Sequence, residues 1–111
     1  MAVSMYICRT PRPDQASEDP ITLEEWKAVV RDVPRMHLYE GPDSLPAHIS
    51  PPDAADGLAR WAGHPMGETI WFHFQDGKIR VDGFDSYVAL RMRYLANYMN
   101  ARVIGPDGQA Y

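Results

Sequence analysis

Four histidines, one cysteine and a scatter of carboxylates are the residues with which this chain could do chemistry. The histidines are His37, His48, His64 and His73. A protein metal site draws on His and Cys at short, recurring spacings. Here no two histidines stand four apart, and Cys8 has no second cysteine, so no metal ligand set is expected. His73 shares a strand face with Trp71, and would meet His37 only if their strands paired. Cys8 ends the β-rich run Val3-Ser4-Met5-Tyr6-Ile7-Cys8, where a buried, inert thiol is expected. A single cysteine allows no intrachain disulfide. Acid–base work would need a carboxylate in an apolar pocket with a raised pKa. Glu68, Asp82 and Asp85 are the candidates, and a small hydrolase or transferase using His73 with Asp82 or Glu68 is the alternative reading of the chain. Asp85 reads more simply as a helix cap, and Asp82 as an exposed strand residue. There is no G-x-S-x-G elbow, Walker loop or G-x-G-x-x-G. Gly63-His64-Pro65-Met66-Gly67-Glu68 is glycine-rich, but a strand follows it, so it lacks the helix N-terminus that binds phosphate. No catalytic residue and no cofactor are expected.

What remains is surface pattern. Tyr87, Arg91, Tyr94 and Tyr98 fall at spacings of four, three and four along one helical stripe. Tyr and Arg are enriched at binding hot spots. No acid occurs from Ser86 to Asn100, whereas the segment from Glu40 to Asp56 carries Glu40, Asp43, Asp53 and Asp56 with no Lys or Arg. One face is therefore expected to be basic and aromatic, another acidic. Trp61 is expected to pin the acidic loop to the core, and Trp71 and His73 are further candidates for a contact surface.

These residues need elements to position them. The chain has 111 residues, enough for one domain. Hydrophobic residues make up 45% and charged residues 23%, which is globular usage rather than disorder. The net charge of −4 argues against nucleic-acid binding, which needs Lys and Arg to neutralise phosphates. The N-terminus does not read as a signal peptide, and no apolar run approaches the ~20 residues that span a bilayer. A cytoplasmic protein without a membrane role is expected.

Residues 3 to 9 read as a strand and 10 to 20 as a proline-punctuated loop. Thr22-Leu23-Glu24-Glu25 is a capping box, with Ile21 able to staple onto Trp26. Leu23, Trp26, Val30 and Val33, with Val29 beside them, form the apolar face of a helix ended by Pro34. Residues 35 to 40 alternate as a short strand. A long loop rich in Pro, Gly and Asp is expected over 41–67, with one helical turn at 53–59. Ile70, Phe72 and Phe74 alternate up to the turn Asp76-Gly77, and Ile79 and Val81 resume beyond it, so 68–83 is expected to be a β-hairpin with these five residues on its buried face. A second helix is expected from Asp85 or Ser86 to Asn100, burying Val88, Met92, Leu95, Ala96 and Met99. Arg102-Val103-Ile104 is a last strand before the turn Gly105-Pro106-Asp107-Gly108. The expected fold is a single α+β domain over 1–111. Two helices pack on one face of a mainly antiparallel sheet, in the order β-α-β-loop-β-β-α-β.

The C-terminal segment Ala101-Arg102-Val103-Ile104-Gly105-Pro106-Asp107-Gly108-Gln109-Ala110-Tyr111 resembles the A-R-V-x-G-x-D-G-x-x-Y ending of many small, uncharacterised bacterial proteins. The Ile21-Thr22-Leu23-Glu24-Glu25-Trp26 helix start and the Trp/Phe-rich strand before Asp-Gly are similar too. The resemblance implies proteins of the immunity type, small partners encoded beside bacterial toxins. The leading expectation is therefore a non-enzymatic binding protein that neutralises a cognate toxin by occlusion. Asp43, Asp53 and Asp56 would meet basic groups of the toxin, with Trp61, Trp71 or Tyr94 as anchors. A homodimer built on the tyrosine stripe, for scaffolding or regulation, is a further alternative.

Overall fold

A computed structural model describes residues 4–41, 56–83 and 85–111. It is a small α+β fold with one antiparallel six-stranded sheet. The strands are β1 (Ser4–Cys8), β2 (Met36–Leu38), β3 (Ala59–Trp61), β4 (Ile70–Gln75), β5 (Lys78–Asp82) and β6 (Arg102–Ile104). The helices are α1 (Leu23–Asp32) and α2 (Ser86–Tyr98), with a 3-10 segment at Pro13–Glu18. Across the sheet the order is β2-β3-β4-β5-β1-β6.

Local chemistry explains most of these elements. Thr22 Oγ1 accepts from the Glu25 N–H at 3.1 Å, and Glu25 Oε1 accepts from the Thr22 N–H at 3.3 Å, closing the capping box. Ile21 and Trp26 are both buried in one cluster, as a staple requires. Val33 is already extended (φ −92°, ψ 130°) because Pro34 follows it. At α2, Asp85 caps through Oδ1, accepting from the Val88 N–H at 2.8 Å.

Asp76 (φ 49°) and Gly77 (φ 80°) both take left-handed conformations, which is what a two-residue hairpin turn between twisted strands demands. The Gly77 carbonyl also accepts from the Ile21 N–H at 3.0 Å, tying the hairpin to the start of α1. A Cβ on Gly77 would lie 2.6 Å from Pro20 Cβ. Gly77→Ala therefore combines a left-handed penalty with a clash, and is expected to cost about 2–3 kcal/mol by urea denaturation. A loss below about 0.5 kcal/mol would mean that the turn is not held as described.

One face of the sheet carries Met5, Ile7, Met36, Ala59, Trp61, Ile70, Phe72, Ile79, Val81 and Val103. Trp26, Val29, Val30 and Val33 of α1 and Val88, Met92, Leu95, Ala96 and Met99 of α2 pack into the same cluster. Trp26 stacks on Phe72, with centroids 6.1 Å apart. The other face carries His37, Arg60 and Trp71 in one cross-strand row. His73, Arg80, Tyr6 and Ile104 form the next. At one end of that face Ala16 of the 3-10 segment packs on Cys8 and Ile104.

Four expectations change. Residues 13–18 are not plain loop but a 3-10 segment, opened by Pro13 with its fixed φ. The stretch 41–67 is not one loop, because β3 forms within it and joins β2 to β4. Of the helical turn expected at 53–59, residues 53–55 lie outside the described residues. Asp56 and Gly57 make a turn instead, Gly57 at φ 86°, and Ala59 begins β3. Phe74, expected in the core, is only partly buried at its edge. Among the described residues no helix is long and apolar enough to cross a membrane.

Candidate functional site

The exposed side of α2 gathers the residues that could form a contact surface. Tyr87 is 44% exposed, Leu90 62%, Tyr94 42% and Tyr98 52%. Large apolar side chains normally avoid water in such runs, and contiguous patches of them mark binding sites. Val88, Met92 and Leu95 face the core and so turn these neighbours outward. Tyr94 and Tyr98, one turn apart, meet edge to face at 5.3 Å, with their hydroxyls hydrogen-bonded at 3.0 Å.

Beside this stripe lies a shallow groove of about 210 Å³, lined by Trp61, Gly63, Pro65, Tyr87, Leu90, Arg91 and Tyr94. Arg91 sits over the Trp61 ring, 5.0 Å from its centroid, and 5.3 Å from that of Tyr94. Such stacking of a guanidinium between aromatic faces is favourable when partly desolvated. Burial lowers the Arg91 pKa from its usual value, and the like charge of Arg35 pushes in the same direction. Trp61 is 4% exposed, and its Nε1 is buried without a hydrogen-bond partner.

His64 fixes the loop that makes the groove wall. Its Nδ1 accepts from the Met66 N–H at 3.1 Å. The proton therefore sits on Nε2, which donates to Asp85 Oδ2 at 2.8 Å. The ring also contacts Trp61 and Tyr87 edge-on, at 5.5 and 5.4 Å between centroids. The Asp85 carboxyl is held below its usual range, first by the Val88 N–H and then by His64. His64, Glu68 and Asp85 bring ligand atoms within 4.8 Å of one another, near enough to be offered to one metal ion. Both imidazole nitrogens are nevertheless engaged within the protein, so a metal would have to break either the Met66 or the Asp85 bond. His64 and Asp85 are better described as a clamp between the 64–66 turn and the start of α2.

The sequence candidates divide accordingly. Trp61, Tyr87, Arg91, Tyr94 and Tyr98 come together on the α2 side. Trp71 and His73 are half-buried on the opposite face of the sheet, because they alternate with the core residues Ile70 and Phe72. His73 lies opposite Arg80, and β3 stands between β4 and His37 on β2. Asp82 accepts from Ser4 Oγ at 2.6 Å and lies 3.5 Å from Arg80 Nε. Asp56 is paired with Lys27 Nζ at 2.8 Å. Asp43 and Asp53 lie outside the described residues. Leu90, His64, Gly63 and Arg35 belong to the site without having been singled out for it. Leu90 carries the one signal that could have been read, an apolar residue beside the tyrosine stripe rather than on the core stripe. Comparison of the chain with protein-family models, with curated proteins and with solved structures finds no match.

Proposed function

We propose that this chain is a protein-binding module that works by covering a partner rather than by catalysing a reaction. In its most specific form it is a cytoplasmic immunity protein that occludes a cognate bacterial toxin. The observation that carries the reading is the exposed Tyr87–Leu90–Tyr94–Tyr98 stripe around a half-buried Arg91. Tyrosines supply large, rigid contact area at low entropic cost, and Arg adds direction. The contact is assigned to α2, where the exposed stripe lies, and Asp56 of the acidic segment is paired with Lys27.

The test is calorimetric titration of the purified chain with the product of the adjacent gene, alongside growth rescue on co-expression. A one-to-one complex is expected, with rescue. The double change Leu90→Asp with Tyr94→Ala should weaken it by about 100-fold or more, as loss of two central contacts does. No complex and no rescue would overturn the toxin reading. A strict homodimer by light scattering, dissociated by the same double change, would reassign the stripe to self-association.

A further inference from the structure

We propose that the groove beside Gly63 receives a carboxylate: Arg91 and Arg35 take an Asp or Glu side chain of the partner protein, whose apolar neighbours rest on Tyr87, Leu90 and Tyr94. The inference rests on the protein-binding reading and names the chemistry of that partner.

Three observations converge on the groove. The first is uncompensated charge. The chain has 15 acidic and 11 basic residues, yet neither Arg91 nor Arg35 makes an ion pair among the described residues. Arg35 Cδ lies against Gly63, which lines the groove together with Arg91. The second is an orphaned donor. Trp61 Nε1–H has no acceptor, and a buried polar group in that state is costly until it is given one. The third is the backbone between them. A Cβ on Gly63 would lie 2.6 Å from Trp61 Nε1 and 2.7 Å from Arg35 Cδ. Gly63, which lines the groove, is thus packed against both the indole donor and Arg35, and only a residue without a side chain fits between them.

Charge complementarity selects the occupant. A carboxylate satisfies two forked cations and an N–H donor together. The lining of Pro65, Tyr87, Leu90 and Tyr94 favours an anion flanked by apolar residues over one flanked by sugar or water. A second copy of this chain fits poorly, because an isologous contact across α2 would bring together two faces that each carry Arg91 and no acid from Ser86 to Asn100.

The probe is 3-phenylpropionate, titrated into the ¹⁵N-labelled full chain, with 3-phenylpropanamide and inorganic phosphate as comparisons. The readouts are the Trp61 indole N–H and the Arg91 Nε–H resonances. The carboxylate should shift both saturably, and the amide should bind about tenfold more weakly or worse. Arg91→Met should abolish the response while the amide spectrum stays dispersed, and Arg35→Gln, at an exposed position, should weaken it on its own. Equal binding of amide and carboxylate, equal shifts with phosphate, or an unchanged response in both variants would each overturn the site. With the partner protein in hand, equal affinity of wild type and Arg91→Met would sink the carboxylate notch and leave the binding module standing. A positive carboxylate titration with no protein partner would do the reverse.

Discussion

Trp26→Ala is expected to destabilise the protein by about 3–5 kcal/mol, the range for removing a large buried aromatic. Such a loss is a large part of the roughly 5–15 kcal/mol that holds a domain together. Trp26 is fully buried and stacks on Phe72, joining α1 to the central strand of the core face. It also does something that shape alone does not. Its Nε1 donates to the Gly57 carbonyl at 2.7 Å, which fixes the chain as it enters β3. Trp26→Phe separates the two roles. It keeps most of the stacking but leaves the Gly57 carbonyl without its donor, and should cost about 1–3 kcal/mol. Urea unfolding followed by far-ultraviolet circular dichroism reads both, without depending on tryptophan emission. If the alanine and phenylalanine variants lose equal stability, the hydrogen bond rather than the packing dominates. If alanine costs less than about 1 kcal/mol, the core is not organised around this residue.

The second large effect is expected at Arg9. Its Nε donates to the Met99 carbonyl at 2.9 Å, and Nη1 to the Pro20 carbonyl at 3.0 Å and to Glu25 Oε1 at 3.2 Å. Nη2 donates to Glu25 Oε2. One guanidinium thus joins the end of β1, the entry to α1 and the end of α2. Arg9→Ala removes every donor at once and leaves two carbonyls and a carboxylate behind, at a cost of about 2–4 kcal/mol. Arg9→Lys restores a charge but not the fork, and should recover only part of that. The same contact makes stability depend on acid. Its hydrogen bond from Arg9 lowers the Glu25 pKa from 4.5 to about 2. Because the folded value is the lower one, the stabilisation is complete above pH 4.5 and is lost as pH falls towards 2. Glu25 is 39% exposed, so solvent screens the pair and the effect on stability is smaller than the shift alone would imply. Stability measured from pH 6 to 2 should fall less steeply in Glu25→Gln than in wild type. Parallel curves would exclude Glu25 as the source.

What could be read from sequence was what is local. The Thr22–Glu25 box, the Asp76-Gly77 turn and the 3.6-residue stripe of α2 each lie within a few residues, so each announces itself. β3 did not, because Ala59-Arg60-Trp61 is too short to display alternation and lies among glycines and prolines. It becomes a strand only because β2 and β4 flank it. At the site, the tyrosine stripe was legible for the same reason that α2 was. Trp71 and His73 were grouped with it even though their alternation with Ile70 and Phe72 already placed them on the far side of the sheet. Arg35 and Gly63 could not have been found. Their relevance comes from the fold carrying the end of α1 to the loop after β3, a meeting that no spacing records.

The strand order has a consequence in time. β2, β3, β4 and β5 follow one another along the chain and across the sheet, so each can pair as soon as it emerges from the ribosome. β1 comes out first, but its neighbours are β5 and β6. Ser4 must wait for Asp82, and Cys8 for Arg102. Until β5 is made the first strand is an unpaired template with apolar Met5 and Ile7 showing, the kind of segment that other chains can capture. The slow event in folding is expected to be the insertion of this early strand between two late ones, since those pairings close long loops.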